Sequence, residues 1–320
     1  IAVLSVIGVV VSTLIVAAGF WALTTAFSMR VPFAWCLVFG ALISPTDPVA
    51  VIALLQNSAA SKLLRATVAA ESLFNDGVGV VLFTILLAGA ATGRSVGPLE
   101  ASRMFLVEAG GGAALGLVLG LVGYWMMRSI EDYVTEVLIT VALVMGGYSI
   151  AVPLGVSGPV AMAVAGLIVG NFAAHHAMTE ATRDHLHKLW DLIDHILNAA
   201  LFLLIGLQGI ALLAKPGLLM IGMATVPLVL VARAASVAPP LALWRGLLPF
   251  RESFPLLVWG GMRGGICIAM ALSLPDTPIR GVVLMATYLV VMFSVLVQGL
   301  TVEHLIKPAP PLQQDANFAP

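Results

Sequence analysis

Apolar residues fill most of the chain, in long runs separated by short polar stretches. A helix needs about 20 apolar residues to cross the hydrocarbon of a bilayer. On that measure the pattern predicts about ten spans, at 1–29, 31–56, 63–91, 103–128, 133–153, 158–174, 186–213, 216–244, 253–274 and 280–305. Two of these runs are interrupted. The second carries "SPTDP", and proline removes a backbone donor and breaks a helix. The ninth carries "WGGMRGG", whose clustered glycines weaken a helix. The interrupted runs are the middle members of the first three and the last three spans. They stand seven apart in order, so they cross in opposite directions. Paired broken helices in inverted halves point to a secondary transporter with a midplane site. The fold class predicted is therefore an all-α, polytopic membrane protein with inverted repeats.

Composition agrees with that reading. The chain is 60% hydrophobic and 10% charged, with a mean hydropathy of +1.07. A soluble domain carries about 25% charge. A net charge of −1 gives no reason to expect a nucleic-acid partner. Cys36 and Cys267 lie in apolar runs and read as small buried hydrophobes. No zinc spacing, nucleotide loop or dinucleotide fingerprint is present. The longest polar connection is "AAHHAMTEATRDHLHK", which predicts an interfacial stretch entering the seventh span. His175, His176, His185 and His187 within it read as solvated loop residues rather than metal ligands. Asp194 and His195 read as interfacial anchors. The tail after Lys307, residues 308–320, is short and proline-rich and is expected to be disordered. The chain opens at Ile1 inside an apolar run, which reads as a fragment or processed form.

Lys and Arg in the loops set orientation. Lys62, Arg65, Arg128, Arg183, Lys188, Arg245, Arg251 and Lys307 fall on one side. Arg30, Arg94, Arg103, Lys215 and Arg280 fall on the other. The excess places the C-terminal tail in the cytoplasm.

Set aside loop and span-end charges, and five ionisable residues remain deep in spans: Asp47, Glu71, Asp76, Arg233 and Arg263. Charges at membrane depth are costly and by default functional or paired. Three carboxylates against two guanidiniums leave one negative charge, which a monovalent cation or a proton would balance. The third span reads "AESLFNDGVGVVLF". Ser72 and Asp76 are four apart and share a helix face. Glu71 and Asn75 share the neighbouring one. Glu71 and Asp76 point about 140° apart around the helix, so one can be tied up while the other stays free. Arg233 is the expected partner of Glu71, because either left unpaired in the interior would be very costly. Asp76 and Ser72 are then expected to face the "SPTDP" break. Thr46, Asp47 and freed backbone carbonyls would there supply hard oxygen ligands of the kind an alkali cation takes.

"ISPTDPVAV", "ESLFND" and "WGGMRGG", in this order, resemble the monovalent cation:proton antiporter family in its sodium/proton exchanger branch. "GVSGPVAMAVAGLIVGN" and "ALFLLIGLQ" fit the same family, and the resemblance extends to about Lys307. It implies two inverted repeats with two unwound helices crossing at the midplane, and a homodimer that alternates between outward- and inward-facing states. It implies that Asp76 carries the ion and the proton, that Ser72, Thr46 and Asp47 surround a sodium ion, and that Glu71 and Arg233 form a structural ion pair. Asn75 matches the asparagine of the electroneutral branch. Arg263 matches the arginine of the second crossing helix, with a structural or gating role. The family commonly has about thirteen helices, so residues 1–307 are expected to lack the first three. The expected function is one-for-one exchange of sodium for protons in the cell membrane, in pH and sodium homeostasis, without a cofactor. Potassium or lithium specificity on the same fold is the alternative. An intramembrane aspartyl protease using Asp47 and Asp76 is disfavoured, because "NDGVG" lacks the glycine-x-glycine-aspartate order. A passive channel would lack proton dependence.

Overall fold

A computed structural model describes residues 2–56, 58, 61–93, 97–130, 132–173, 178–213, 216–243 and 249–306. His175, His176, the loop cations Arg94, Lys215, Arg245 and Lys307, and the tail 308–320 lie outside the described residues.

The elements are helices. α1 is Ala2–Ala26, and α2 (Phe33–Ile43) and α3 (Val49–Gln56) are the two halves of the run broken at "SPTDP". α4 (Lys62–Thr92), α5 (Pro98–Arg128) and α6 (Tyr133–Ala151) follow. α7 (Gly158–Leu167) continues as a π-helical turn through Ala173. α8 (Glu180–Leu213) and α9 (Pro216–Leu243) are long. α10 (Phe250–Trp259) and α11 (Gly265–Leu272) are the halves of the run broken at "WGGMRGG". α12 (Arg280–Phe293) runs on through a π-helical turn, Ser294–Gln298.

Local chemistry sets several of the boundaries. The Ser61, Asp132 and Ser157 side chains accept from the backbone N–H of Leu64, Thr135 and Val160, capping α4, α6 and α7. Gly93 ends α4 in the left-handed region, at φ +67°. Among the described residues, six helices are long and apolar enough to cross a membrane: Ser5–Ala26, Lys62–Thr92, Leu99–Arg128, Tyr133–Ala151, Gly217–Leu243 and Arg280–Leu305. The broken pairs reach that length only when their halves are taken together.

Packing divides the helices unequally. α1, α2, α4, α9, α11 and α12 enclose the principal core, around Phe20, Phe39, Leu42, Ile43, Ile221 and Ile268. A second cluster joins α3, α4, α9 and α10 through Val51, Leu55, Leu241 and Leu257. α5, α6 and α7 form a separate layer around Tyr124, Met127 and Ile139. α8 packs against both groups, on α6 on one side and on α9, α11 and α12 on the other. Large apolar side chains also face outward, such as Leu106 at 71% and Met145 at 69% exposure. Outward apolar surface suits a lipid solvent and would be a liability in water. Cys36 and Cys267 are both free and buried, as expected.

Candidate ion-exchange site

The two breaks meet. The backbone N–H of Asp47, in the first, donates to the carbonyl of Met262, in the second, at 2.8 Å. Arg263 answers from the other direction. Its Nη1 donates to the carbonyls of Ser44 and Pro45, at 2.6 and 2.7 Å. These acceptors lie at the end of α2, where a broken helix leaves carbonyls without intrahelical partners. A cation is also favourable at that negative end of the helix dipole. The remaining Nε and Nη2 of Arg263 find no partner among the described residues. Arg263 also borders a void of about 10 Å³ with Arg233, Ser294 and Gln298.

The glycines of the second break have a reason beyond weak helix propensity. A Cβ on Gly261 would meet the Arg233 guanidinium, and one on Gly264 would collide with the Asp47 carboxylate. The missing side chains let charged groups press against bare backbone.

α4 grips the first break from its side. Asn75 Nδ2 donates to Thr46 Oγ1 at 2.6 Å, and its Oδ1 accepts from the Thr46 N–H at 3.4 Å. Ser72 Oγ donates to the Thr46 carbonyl at 2.9 Å. Thr46 is thereby held at three atoms. One position before Ser72 and four before Asn75, Glu71 points away from Ser72 and meets Arg233 Nη1 at 2.5 Å. Arg233 Nε donates to the Leu257 carbonyl at 3.1 Å. Glu71 and Arg233 are 3% and 8% exposed, so each neutralises a charge that the interior would not tolerate alone.

Asp76 points elsewhere. It lines a cavity of about 190 Å³ with Pro45, Thr46, Asp47, Ser72 and the segment 264–267. No hydrogen bond to its carboxylate comes from the described residues. Five residues apart on α4, one carboxylate is tied to a guanidinium and the other faces the cavity.

The structure extends one reading and adds two residues. Asp194, expected as an interfacial anchor, is exposed and also borders the site. With Asn198 it forms the α8 wall of this cavity. Asn198 is neutral and gave no charge signal, although its spacing of four from Asp194 put both on one face. Glu136, one turn into α6, is 1% exposed, a buried carboxylate that the sequence reading did not single out. The described histidines do not cluster. The His185 ring lies tilted against Tyr133, and His195 Nδ1 lies 2.6 Å from the Asp191 carbonyl. No group of three or more metal-ligating side chains occurs among the described residues. A larger apolar cavity of about 350 Å³ between α6, α7 and α8 lies away from both breaks.

The family model for the transmembrane sodium/hydrogen exchanger matches residues 1–307. The chain belongs to that family. Among similar exchangers, the Na(+)/H(+) antiporter NhaP of Pseudomonas aeruginosa is 43% identical over 309 residues, 95% of this chain and 73% of the relative. The Na(+)/H(+) antiporter NhaH of Halobacillus aidingensis is 36% identical, over 95% of this chain and 74% of the relative. In fold, this exchanger superposes on the sodium proton antiporter MjNhaP1 of Methanocaldococcus jannaschii with a TM-score of 0.75 at 21% identity, covering 94% of this chain and 76% of that one. It is an integral, multi-pass membrane protein, and the family consists of secondary transporters rather than enzymes.

Proposed function

We propose that this protein exchanges sodium for protons across a membrane, one for one, with Asp76 as the carboxylate that carries either. The observation that carries the reading is the pairing of opposites on α4. Glu71 is neutralised by Arg233, while Asp76 faces a cavity where two helix breaks meet. Thr46, Asp47 and Ser72 stand around the same cavity and supply hard oxygens for a sodium ion. Ser72 spends only its proton on Thr46, so its lone pairs stay available. Asp76 holds a proton or a sodium ion, not both. Either one neutralises the carboxylate and lowers the cost of moving the site across the hydrocarbon. Asn75 and Arg263 position the site: Asn75 holds Thr46, and Arg263 ties the two breaks.

The exchange is driven by ion gradients alone and uses no cofactor. Residues 1–307 form the transport domain, 308–320 a cytoplasmic tail, and the functional unit is a homodimer in the cell membrane. The broken pairs α2/α3 and α10/α11 are the corresponding members of two inverted halves. One-for-one exchange follows from a neutral Asn75 and a single cargo-carrying carboxylate.

The test is a proton-gradient dequench assay in proteoliposomes, run with each alkali cation across pH. Sodium is expected to collapse the gradient, and Asp76→Asn is expected to abolish the response in a folded protein. Sodium-dependent proton flux in a well-folded Asp76→Asn variant would sink the mechanism. Membrane potential acts on net charge at about 2.3 kcal/mol per charge per 100 mV. The sodium gradient that nulls proton flux is therefore expected to stay put under clamped voltage. A null point that moves would end the one-for-one reading.

A further inference from the structure

The cavity at Asp76 is built from two sources. The breaks and α4 supply Thr46, Asp47, Ser72 and Asp76, and α8 supplies Asp194 and Asn198. α8 comes close because residue 265 has no side chain: a Cβ there would lie 2.8 Å from Asn198 Oδ1. Asn198 is half-buried over the start of α11. Asp194 lies four residues back on the same face, about 6 Å along the axis. It is exposed, and no ion pair engages it among the described residues. Its neighbours are occupied otherwise. Lys188 pairs with Asp184, and the His195 ring bonds the Asp191 carbonyl. The charged groups lining the inside of the cavity are Asp47 and Asp76, and Arg263 lies behind that lining, its Nη1 on the carbonyls of Ser44 and Pro45.

We propose that Asp194 is a cation-recruiting residue, whose carboxylate at the rim of the cavity draws alkali cations from water toward Asp76. A cleft lined by one sign of charge between low-dielectric walls focuses its field and concentrates counter-ions. Asp194 supplies that charge where solvent still reaches, and Asn198 deeper on the same face keeps the wall polar without adding a charge. The inference rests on the reading of Asp76 as the carrier. It adds a residue that sets how much sodium arrives, separate from the one that carries it.

The experiment measures initial exchange rates against sodium concentration for the full chain in proteoliposomes. Asp194→Asn is expected to raise the KM for sodium about tenfold, the lower end of what focusing provides, while kcat is kept. Asp194→Glu is expected to restore the KM. Choline chloride, which is not a substrate, is expected to raise the wild-type KM by screening an exposed charge and to leave Asp194→Asn almost unmoved. An unchanged KM in Asp194→Asn, or a fall in kcat at constant KM, overturns the proposal. If Asp194→Asn does not fold, the glutamate variant and the choline series on the wild type decide. A wild-type KM indifferent to ionic strength then overturns it. Asp76→Asn in parallel separates the two ideas: retained exchange there defeats the carrier reading, whereas loss there with an unchanged Asp194→Asn KM defeats only recruitment.

Discussion

The two broken helices do the same geometric job by opposite means. At "SPTDP" the chain is stopped by proline and furnished with oxygen. Thr46 is clamped by Asn75 and Ser72, and Asp47 lines the cavity. At "WGGMRGG" the chain is stripped to backbone, and the groups filling the space belong to others: Arg233 against Gly261, Asp47 against Gly264. The one functional side chain of the second break, Arg263, reaches back to hold the first. One break therefore supplies chemistry and the other supplies room. Substitutions of Thr46 and Asp47, which line the cavity, should change what binds, and substitutions at the second break should change whether the breaks fit.

The largest expected effect tests the support shared by both. Arg233 bridges Glu71 of α4 and the Leu257 carbonyl of α10. Arg233→Met or Glu71→Leu alone is expected to destabilise by about 3–5 kcal/mol, because the partner is left buried and charged. The double variant is expected to cost less than the sum. Thermal unfolding in detergent over the double-mutant cycle measures the coupling. Strict additivity would show that the pair does not act as a unit.

Next comes the fit of the second break. Gly264→Ala inserts a methyl into the Asp47 carboxylate. Overpacking of this kind costs about 1–3 kcal/mol, and exchange is expected to fall with it. A Gly264→Ala protein of wild-type Tm and wild-type rate would break the contrast drawn between the two breaks.

A smaller effect belongs to the first break. Ser44 Oγ donates to the Gly40 carbonyl at 2.7 Å and lies 3.0 Å from Ser12 Oγ. Ser44→Ala removes these side-chain contacts but leaves the backbone carbonyl that Arg263 holds. About 0.5–1.5 kcal/mol of stability is expected to go, the net worth of one hydrogen bond. The KM for sodium is expected to stay unchanged. A shifted KM would mean that Ser44 contributes to the cavity itself.

The sequence was most informative where membrane physics restricts the options. Ten apolar runs correspond to helices or to broken pairs of helices, because lipid admits little else. Both breaks were legible as Pro and Gly inside apolar runs. The Glu71–Arg233 contact was legible because two charges in an apolar interior must find each other. The place of Asp194 at the cavity escaped notice for a physical reason. α8 has 34 residues and an N-terminal half rich in charge. At 1.5 Å per residue it is about 51 Å long, longer than the bilayer is thick. Position along such a helix does not reveal depth, and only its packing on α11 brings Asp194 to the cavity. Glu136 escaped notice because it sits one turn from the start of its helix, where a charge is ordinarily solvated. The glycines were read as flexible, but their use as clearance depends on what presses against them.

The ties between the breaks have a mechanical consequence. Asp47 N–H to Met262, and Arg263 to both Ser44 and Pro45, rivet two half-helix junctions in both directions. A motion that leaves those three bonds intact cannot slide one junction past the other. The oxygens around Asp76 would then travel as a fixed cartridge, with α8 as a separate panel that the cartridge can pass. The geometry chosen for the ion on one face of the membrane would be delivered unaltered to the other.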